Sequence, residues 1–353
     1  MKLSSILLSI ISRMDGERTI YAGLHLLRGK RSGQTLSDVE YYNLKAFFGI
    51  LPKLKIELYD EAAGVLINSG YLSITEHSLV VLTEKGRSFA TTLPTYYFNG
   101  WDYRGNEMIF YARLSLFVQT ISNFRLGEKS FMPIEKDYEI QTFVKSLVHG
   151  QPIHEPSFSL QFMKELSRCI EKSKMTDIQK TILTHRLVGG GLTGWTWNQL
   201  ADSLKLSMDS IRLLFVESIH RLLVAIETST DAPFLRKMTK DIKVSSYLTL
   251  SAMQTKNMFD NGLSMNDIAT LRKLKMSTIE DHFVELSIND AAFPLDKFVS
   301  GNDIQNVLKK ADELATKRLR LLKDEFEHLT YFQLRLILGA QSKGEATWIS
   351  IKS

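Results

Sequence analysis

The sequence predicts a mainly α-helical chain with one short β-hairpin, and three observations carry that prediction. One pattern is written twice: Ala201 is followed five and ten residues later by Leu206 and Ile211, and Ala269 by Leu274 and Ile279. A small residue on one helix lets the next helix cross closely, the second apolar residue plugs a short turn, and the third anchors the crossing. This is the spacing of a helix-turn-helix. Capping boxes supply the second observation, because Thr176 with Gln179 and Thr196 with Gln199 place a hydroxyl and an amide three residues apart at the start of apolar-periodic segments. Residues 17–90 supply the third, reading as helices followed by a two-stranded wing.

The elements follow in order. Leu3, Ile6, Leu7, Ile10, Ile11 and Met14 recur at three- and four-residue steps, as on one face of an amphipathic helix. Arg13 and Asp15 end the run before it reaches membrane-spanning length, and no small-residue cleavage site follows. Helices are expected at Thr19–Leu27, at Tyr41–Phe48 ending on Gly49, and at Glu57–Asn68 ending on Gly70. Then come the strand Tyr71–Thr75, a polar tip at Glu76 and His77, and the strand Ser78–Leu82, which together describe a winged helix.

Between Thr91 and Lys174 a cluster of Tyr96, Tyr97, Phe98, Trp101 and Tyr103 is expected to pack the wing against the following helices. Leu114–Ile121 has helical spacing, whereas Gly127–Lys136 and Gly150–Ser157 read as loops. Thr176 then caps a helix over Asp177–Leu187, Gly189 to Gly191 end it, and Ser207 caps the next, with Ile211 and Leu214 facing inward. Asn261 and Gly262 stop a further helix ahead of Ser264–Arg272, and Asp303–Lys323 is expected as one charged helix. The expected divisions are therefore 1–92, a winged helix; 93–173, a helical connector; 174–240, a helix-turn-helix; 241–341, a second helix-turn-helix with C-terminal helices; and 342–353, a tail.

Composition narrows the function classes. Hydrophobic residues at 44% and charged residues at 24% suit packed globular domains. The single cysteine, Cys169, can form neither an internal disulfide nor a cysteine metal cluster, so a reducing cytoplasmic setting is expected. The net charge of +5 permits a polyanionic partner without demanding one, and Asp241–Ser353 carries no net charge at all. Gly189 to Gly194 is not a phosphate loop, since neither the required Lys-Ser or Lys-Thr pair nor a preceding strand accompanies it. No His-Glu-x-x-His pair occurs, and Cys169 has no neighbouring histidine in sequence. The expectation is a protein without catalysis, cofactor or membrane span.

Several motifs resemble known modules. Leu26-Leu27-Arg28-Gly29-Lys30-Arg31-Ser32, then Phe48-Gly49, Gly70-Tyr71-Leu72 and Leu82-Thr83-Glu84-Lys85-Gly86, resemble the winged-helix RQC domain that follows the motor of RecQ-type helicases. Met175–Ile226 is similar to region 4 of bacterial sigma factors. Ser245-Ser246-Tyr247, Ser264–Arg272 and Ser277–His282 resemble the helicase helix-turn-helix domain found near the C-terminus of some RecQ-type helicases. The order of the three resembles the YpbB-like family of Gram-positive bacteria, which is associated with a RecQ-type helicase.

The resemblance implies partners, namely duplex or forked DNA and a RecQ-type helicase, and candidate contacts. Arg28, Lys30 and Arg31 would approach phosphates, and His77 would stand at the wing tip. Asp209, Ser210 and Arg212 occupy the first turn of a second helix, the part such a unit presents to a major groove. Arg272, Lys273 and Lys275 place positive charge at the second turn. Acidic residues oppose these readings: Glu57, Asp60 and Glu61 on one helix and Glu280, Asp281 and Glu285 on another would repel phosphates. Three functions follow: a DNA-binding accessory of a RecQ-type helicase in repair or recombination, a sequence-specific transcription regulator, and a protein-binding adaptor using acidic helix-turn-helix faces.

Overall fold

Polar side chains cap many of the helix starts in this chain, and glycines follow several of the helices, as local chemistry favours. The structure, a computed structural model, describes residues 1–244, 247–290, 292–314 and 316–341, so Ser245, Ser246 and the expected tail lie outside the described residues. It is mainly helical with one two-stranded antiparallel hairpin. Contacts gather the chain into two units: one of Met1–Leu7, Gly49–Pro52 and Thr92–Val244, the other of Leu8–Phe48, Lys53–Thr91 and the described residues from 247 onward. The first helix, α1 (Leu3–Ile11), is divided between them. Its apolar residues are all buried, as its periodicity predicts.

The winged part of the second unit comprises α2 (Tyr21–Arg28), α3 (Gly33–Tyr41), α4 (Ile56–Asn68), β1 (Leu72–Ile74), β2 (Val80–Leu82) and α5 (Glu84–Ala90). Leu72 pairs with Leu82 and Ile74 with Val80. The helix expected at Tyr41–Phe48 lies earlier in the chain. Ser32 accepts the Thr35 N–H and starts α3, while Asn43, at φ 50°, turns the chain so that only a single 3-10 turn forms at Lys45–Phe47. Gly86 explains part of the Leu82–Gly86 motif: a Cβ there would stand 2.0 Å from the Tyr71 carbonyl oxygen. Thr83 Oγ1 donates to the Gly70 carbonyl at 2.6 Å and Lys85 Nζ to the Ser69 carbonyl at 2.8 Å, so this motif locks the wing to the end of α4.

The other unit holds α6 (Gly100–Tyr103), α7 (Glu107–Arg125), α8 (Tyr138–Val148), α9 (Pro156–Lys172), α10 (Asp177–His185), α11 (Trp197–Leu204), α12 (Met208–Thr228) and α13 (Pro233–Met238). One core runs through it, from Tyr103 and Phe117 to Ile219 and Ile242, so residues 93–173 and 174–240 share their hydrophobic interior. The aromatic segment docks on α12: Glu217 accepts the Tyr97 N–H at 2.8 Å, and His220 Nδ1 accepts that of Asn99 at 2.9 Å. Tyr103 and Phe98 pack beside the same histidine. The glycine run permits a close approach to α7. The Gly190 N–H donates to Ser122 Oγ at 2.8 Å, and a Cβ on Gly190 would meet the Leu126 side chain at 2.5 Å.

The remaining helices of the second unit are α14 (Leu250–Asp260), α15 (Met265–Arg272), α16 (Met276–Asn289), α17 (Gly301–Glu313), α18 (Leu319–Glu325) and α19 (Tyr331–Gln341). The helix expected over Asp303–Lys323 is two helices. Glu17 interrupts it by accepting from the Thr316 hydroxyl at 2.6 Å and the Lys317 N–H at 3.2 Å. α16 is the centre of this unit, packed by α14, α15, α19 and α3. Every residue from His282 to Ile288 is buried. Close approach depends on small residues: a Cβ on Gly33 would stand 2.5 Å from Arg335 Nη2 and 2.6 Å from Asp281 Oδ1, two atoms that form an ion pair at 2.6 Å.

Both helix-turn-helix repeats fold as their spacing predicts. Lys205 and Lys273 adopt the same left-handed conformation, φ 52°, at the end of the first helix of each pair. The next residue then donates back, Leu206 to Ala201 at 3.1 Å and Leu274 to Ala269 at 3.0 Å. Ile211 and Ile279 are both fully buried. Ile211→Asp and Ile279→Asp should each cost about 4 kcal/mol, since an unpaired carboxylate replaces a core contact. Melting and limited proteolysis test this, and variants as resistant as the parent would contradict the repeat.

Candidate nucleic-acid interface

A basic exposed surface forms around the start of α4, where the end of α2, the start of α3 and the segment leading into α4 come together. α2 ends on Gly29, whose left-handed backbone (φ 69°) turns the chain into Lys30, Arg31 and the Ser32 cap of α3. Arg28 Nε donates to the Leu54 carbonyl at 2.8 Å and so fastens the end of α2 to the segment leading into α4. Lys53 and Lys55 flank that carbonyl, and both are exposed, as are Lys30 and Arg31. No side chain caps the N-terminus of α4, whose positive end therefore adds to the four cations. His25 registers the local field: burial, then Lys30 and Arg28, hold its imidazole below the usual value.

Arg28 thus positions the cluster, whereas Lys30, Arg31, Lys53 and Lys55 present charge. Lys53 and Lys55 are masked in the sequence because they precede the acidic face of Glu57, Asp60 and Glu61, which is exposed as its pattern suggests. The signal that could have found them is a lysine on each side of a buried leucine. His77 is exposed at the wing tip, beside Ser78 at φ 61°. The acidic face begins with Glu57 in the first turn of α4, next to Lys55, and continues through Asp60 and Glu61 away from the cluster.

The first helix-turn-helix offers less than its sequence promises. Ser210 is buried, its hydroxyl 2.8 Å from Ser207 Oγ in the cap of α12, so it faces the cap and not a groove. Asp209 is half-buried and Arg212 exposed on the same first turn. Beyond that turn most of α12 is covered up to Leu223: Leu213 is buried, and Phe215, Ile219, Leu222 and Leu223 belong to the core.

In the second helix-turn-helix, Arg272 is a clamp. It donates to the Ser251 carbonyl (2.7 Å) and hydroxyl (2.8 Å), to Gln254 Oε1 (3.0 Å) and to the Thr255 hydroxyl, tying α15 to α14. Both terminal nitrogens of its guanidinium are thus engaged inside the unit, a structural role that argues against phosphate contact. Lys273 and Lys275 stay exposed on the turn. The acidic character of α16 is also spent internally: Glu285 accepts from the Thr249 hydroxyl at 3.0 Å and from its N–H, and Asp281 pairs with Arg335. Among the described residues no group of three or more His, Cys, Asp or Glu could hold a metal, and no helix is long and apolar enough to cross a membrane.

Comparison with known proteins agrees with this architecture. A helix-turn-helix domain family matches residues 251–338, which span α14 to α19. The chain is 28% identical over 345 residues to Protein YpbB of Bacillus subtilis (strain 168), covering 95% of this chain and 96% of that protein. No solved structure matches. The matched helix-turn-helix domain supports DNA binding. Within it the helix that would enter a groove is α16, the very helix that the fold buries.

The Arg272 clamp is testable in two ways. Arg272→Ala should lower stability by about 2 kcal/mol, because hydrogen bonds from a charged donor are lost, while the salt dependence of DNA binding stays unchanged; a reduced salt slope would show that Arg272 meets phosphate. His282 lies beside it, Nδ1 2.8 Å from Thr255 Oγ1, and burial, then Arg272, hold its pKa below the usual histidine value. The unfolded chain therefore takes up a proton near about pH 6.5 while the folded one does not, and stability falls as pH drops through that value. His282→Gln should flatten the fall in Tm between about pH 7 and pH 5, leaving the part that His25 contributes with the same sign. A profile parallel to the parent's would contradict the assignment.

Proposed function

We propose that this chain is a non-catalytic DNA-binding accessory of a RecQ-type helicase, acting in repair or recombination. It would grip the backbone of duplex or forked DNA through the ridge of Lys30, Arg31, Lys53 and Lys55, with His77 on the adjoining wing. The observation that carries the reading is the ridge itself, four exposed cations gathered by the Arg28–Leu54 bond at the uncapped start of α4. Backbone contact needs only cations and free N–H groups and is indifferent to sequence. The motifs around the ridge resemble a domain otherwise attached to helicase motors, and the chain shows no phosphate loop of its own. Supplied by a separate polypeptide, such a domain would raise the local concentration of DNA contacts for a motor it is tethered to.

A sequence-specific regulator needs a helix face in the major groove. Beyond their first turns both second helices of the repeats are largely buried, which disfavours that alternative. Reversing Lys30, Arg31, Lys53 and Lys55 to Glu should weaken duplex and fork binding by tenfold or more, on the order of 1.4 kcal/mol, and reduce the salt slope by about 3 to 4. The melting temperature should hold, since all four side chains are exposed. Unchanged affinity and slope would overturn the site. Pull-down with the RecQ-type helicase of the same organism, followed by unwinding at matched salt, tests the partnership; no association and no effect on unwinding would refute it.

A further inference from the structure

The second helix-turn-helix exposes a leucine that its motif does not require. Two residues after the small crossing residue, the first repeat carries Ser203, exposed to solvent, and the second carries Leu271, 63% exposed. The serine shows that the position faces water in another copy of the motif. Leu250, the first residue of α14, is 79% exposed. Arg272 brings the two leucines to one corner, because the residue after Leu271 is bonded to both the carbonyl and the hydroxyl of the residue after Leu250. Lys273 and Lys275 extend from the turn beside them.

Lys273 and Lys275 supply the free charge of this corner, while the exposed Asp267, one turn before Leu271, is engaged in the Ser264 cap at the other end of α15. Of the acids on α16, Glu285 turns inward onto Thr249 and Asp281 pairs with Arg335, while Glu280 is half-buried. A nucleic-acid backbone would satisfy the lysines but give two leucines nothing apolar to meet. A protein segment with carboxylates beside an apolar stripe satisfies both, since apolar burial supplies affinity and opposite charge supplies register.

We propose that Leu250, Leu271, Lys273 and Lys275 form a docking surface for an acidic amphipathic helix of a partner protein. This inference stands apart from the DNA ridge and does not depend on it. The probe is a synthetic helical peptide of Glu, Ala and Leu with its leucines on one face, titrated into the full chain by fluorescence anisotropy. A companion peptide has Ser in place of Leu, and a short duplex DNA serves as the third probe. The leucine peptide should bind about tenfold more tightly than the serine peptide, a difference of about 1.4 kcal/mol. Leu250→Ser with Leu271→Ser should abolish that preference and leave duplex binding unchanged, and serine is what the first repeat already carries at the place of Leu271. Lys273→Glu with Lys275→Glu should weaken both peptides. Equal binding of the two peptides, or no binding of either, would overturn the proposal. So would leucine variants that lose duplex affinity along with the peptide, because the corner would then be a DNA surface.

Discussion

The burial of α16 is the constraint on which the second unit depends. In an isolated helix-turn-helix the second helix keeps one face for a groove; here α14 and α15 pack on it as the motif requires, and α19 and α3 cover what is left. The approach of α3 needs Gly33 beside the Asp281–Arg335 pair, and that of α19 places Gly339 where a Cβ would come within 2.7 Å of Ser287 Oγ. A helix packed this way cannot enter DNA without exposing Phe283, Val284, Leu286 and Ile288, each buried at present. At about 1.5 to 3 kcal/mol for each large apolar side chain, that exposure outweighs what a few base contacts return.

With the second helices of both repeats spent on packing, the proposed DNA contact falls to loops. Phosphates are read by charge and reach, and exposed lysines on short turns meet both needs without a preorganised face. The second unit supplies such a loop surface where Arg28 holds the Leu54 carbonyl. Its cations divide into two kinds. Arg28 and Arg272, partly buried and bonded to carbonyls and hydroxyls, build the fold, while the exposed lysines carry the field. A planar guanidinium with several fixed donors suits the first role, and a compact ammonium on a flexible stem suits the second.

What the sequence disclosed was local. Small residue, turn plug and anchor lie within ten residues of one another, and the capping boxes at Thr176 and Thr196 lie within three, so both repeats and their helix starts were legible. The start of α3 was misplaced although Ser32 is an ordinary cap, because the apolar run toward Phe48 drew the helix eight residues downstream of Gly33. The break in the last charged helix was not legible, since Glu17, which imposes it, lies about 300 residues away. Site residues failed for the same reason. Nothing near Arg272 announces that Ser251 and Gln254 will occupy its donors, and nothing near Arg28 announces Leu54.

The most direct measurement of this constraint is amide hydrogen exchange of the full chain with and without duplex DNA, resolved by peptide. Residues 279–288 should exchange slowly in the free protein and not change on DNA binding, because those amides already lie in the core, while DNA should slow exchange at 29–33 and 53–57. Rapid exchange across 279–288 in the free protein, converted to protection by DNA with no change at 29–33 and 53–57, would show that α16 is the reading helix and that its burial does not govern the unit.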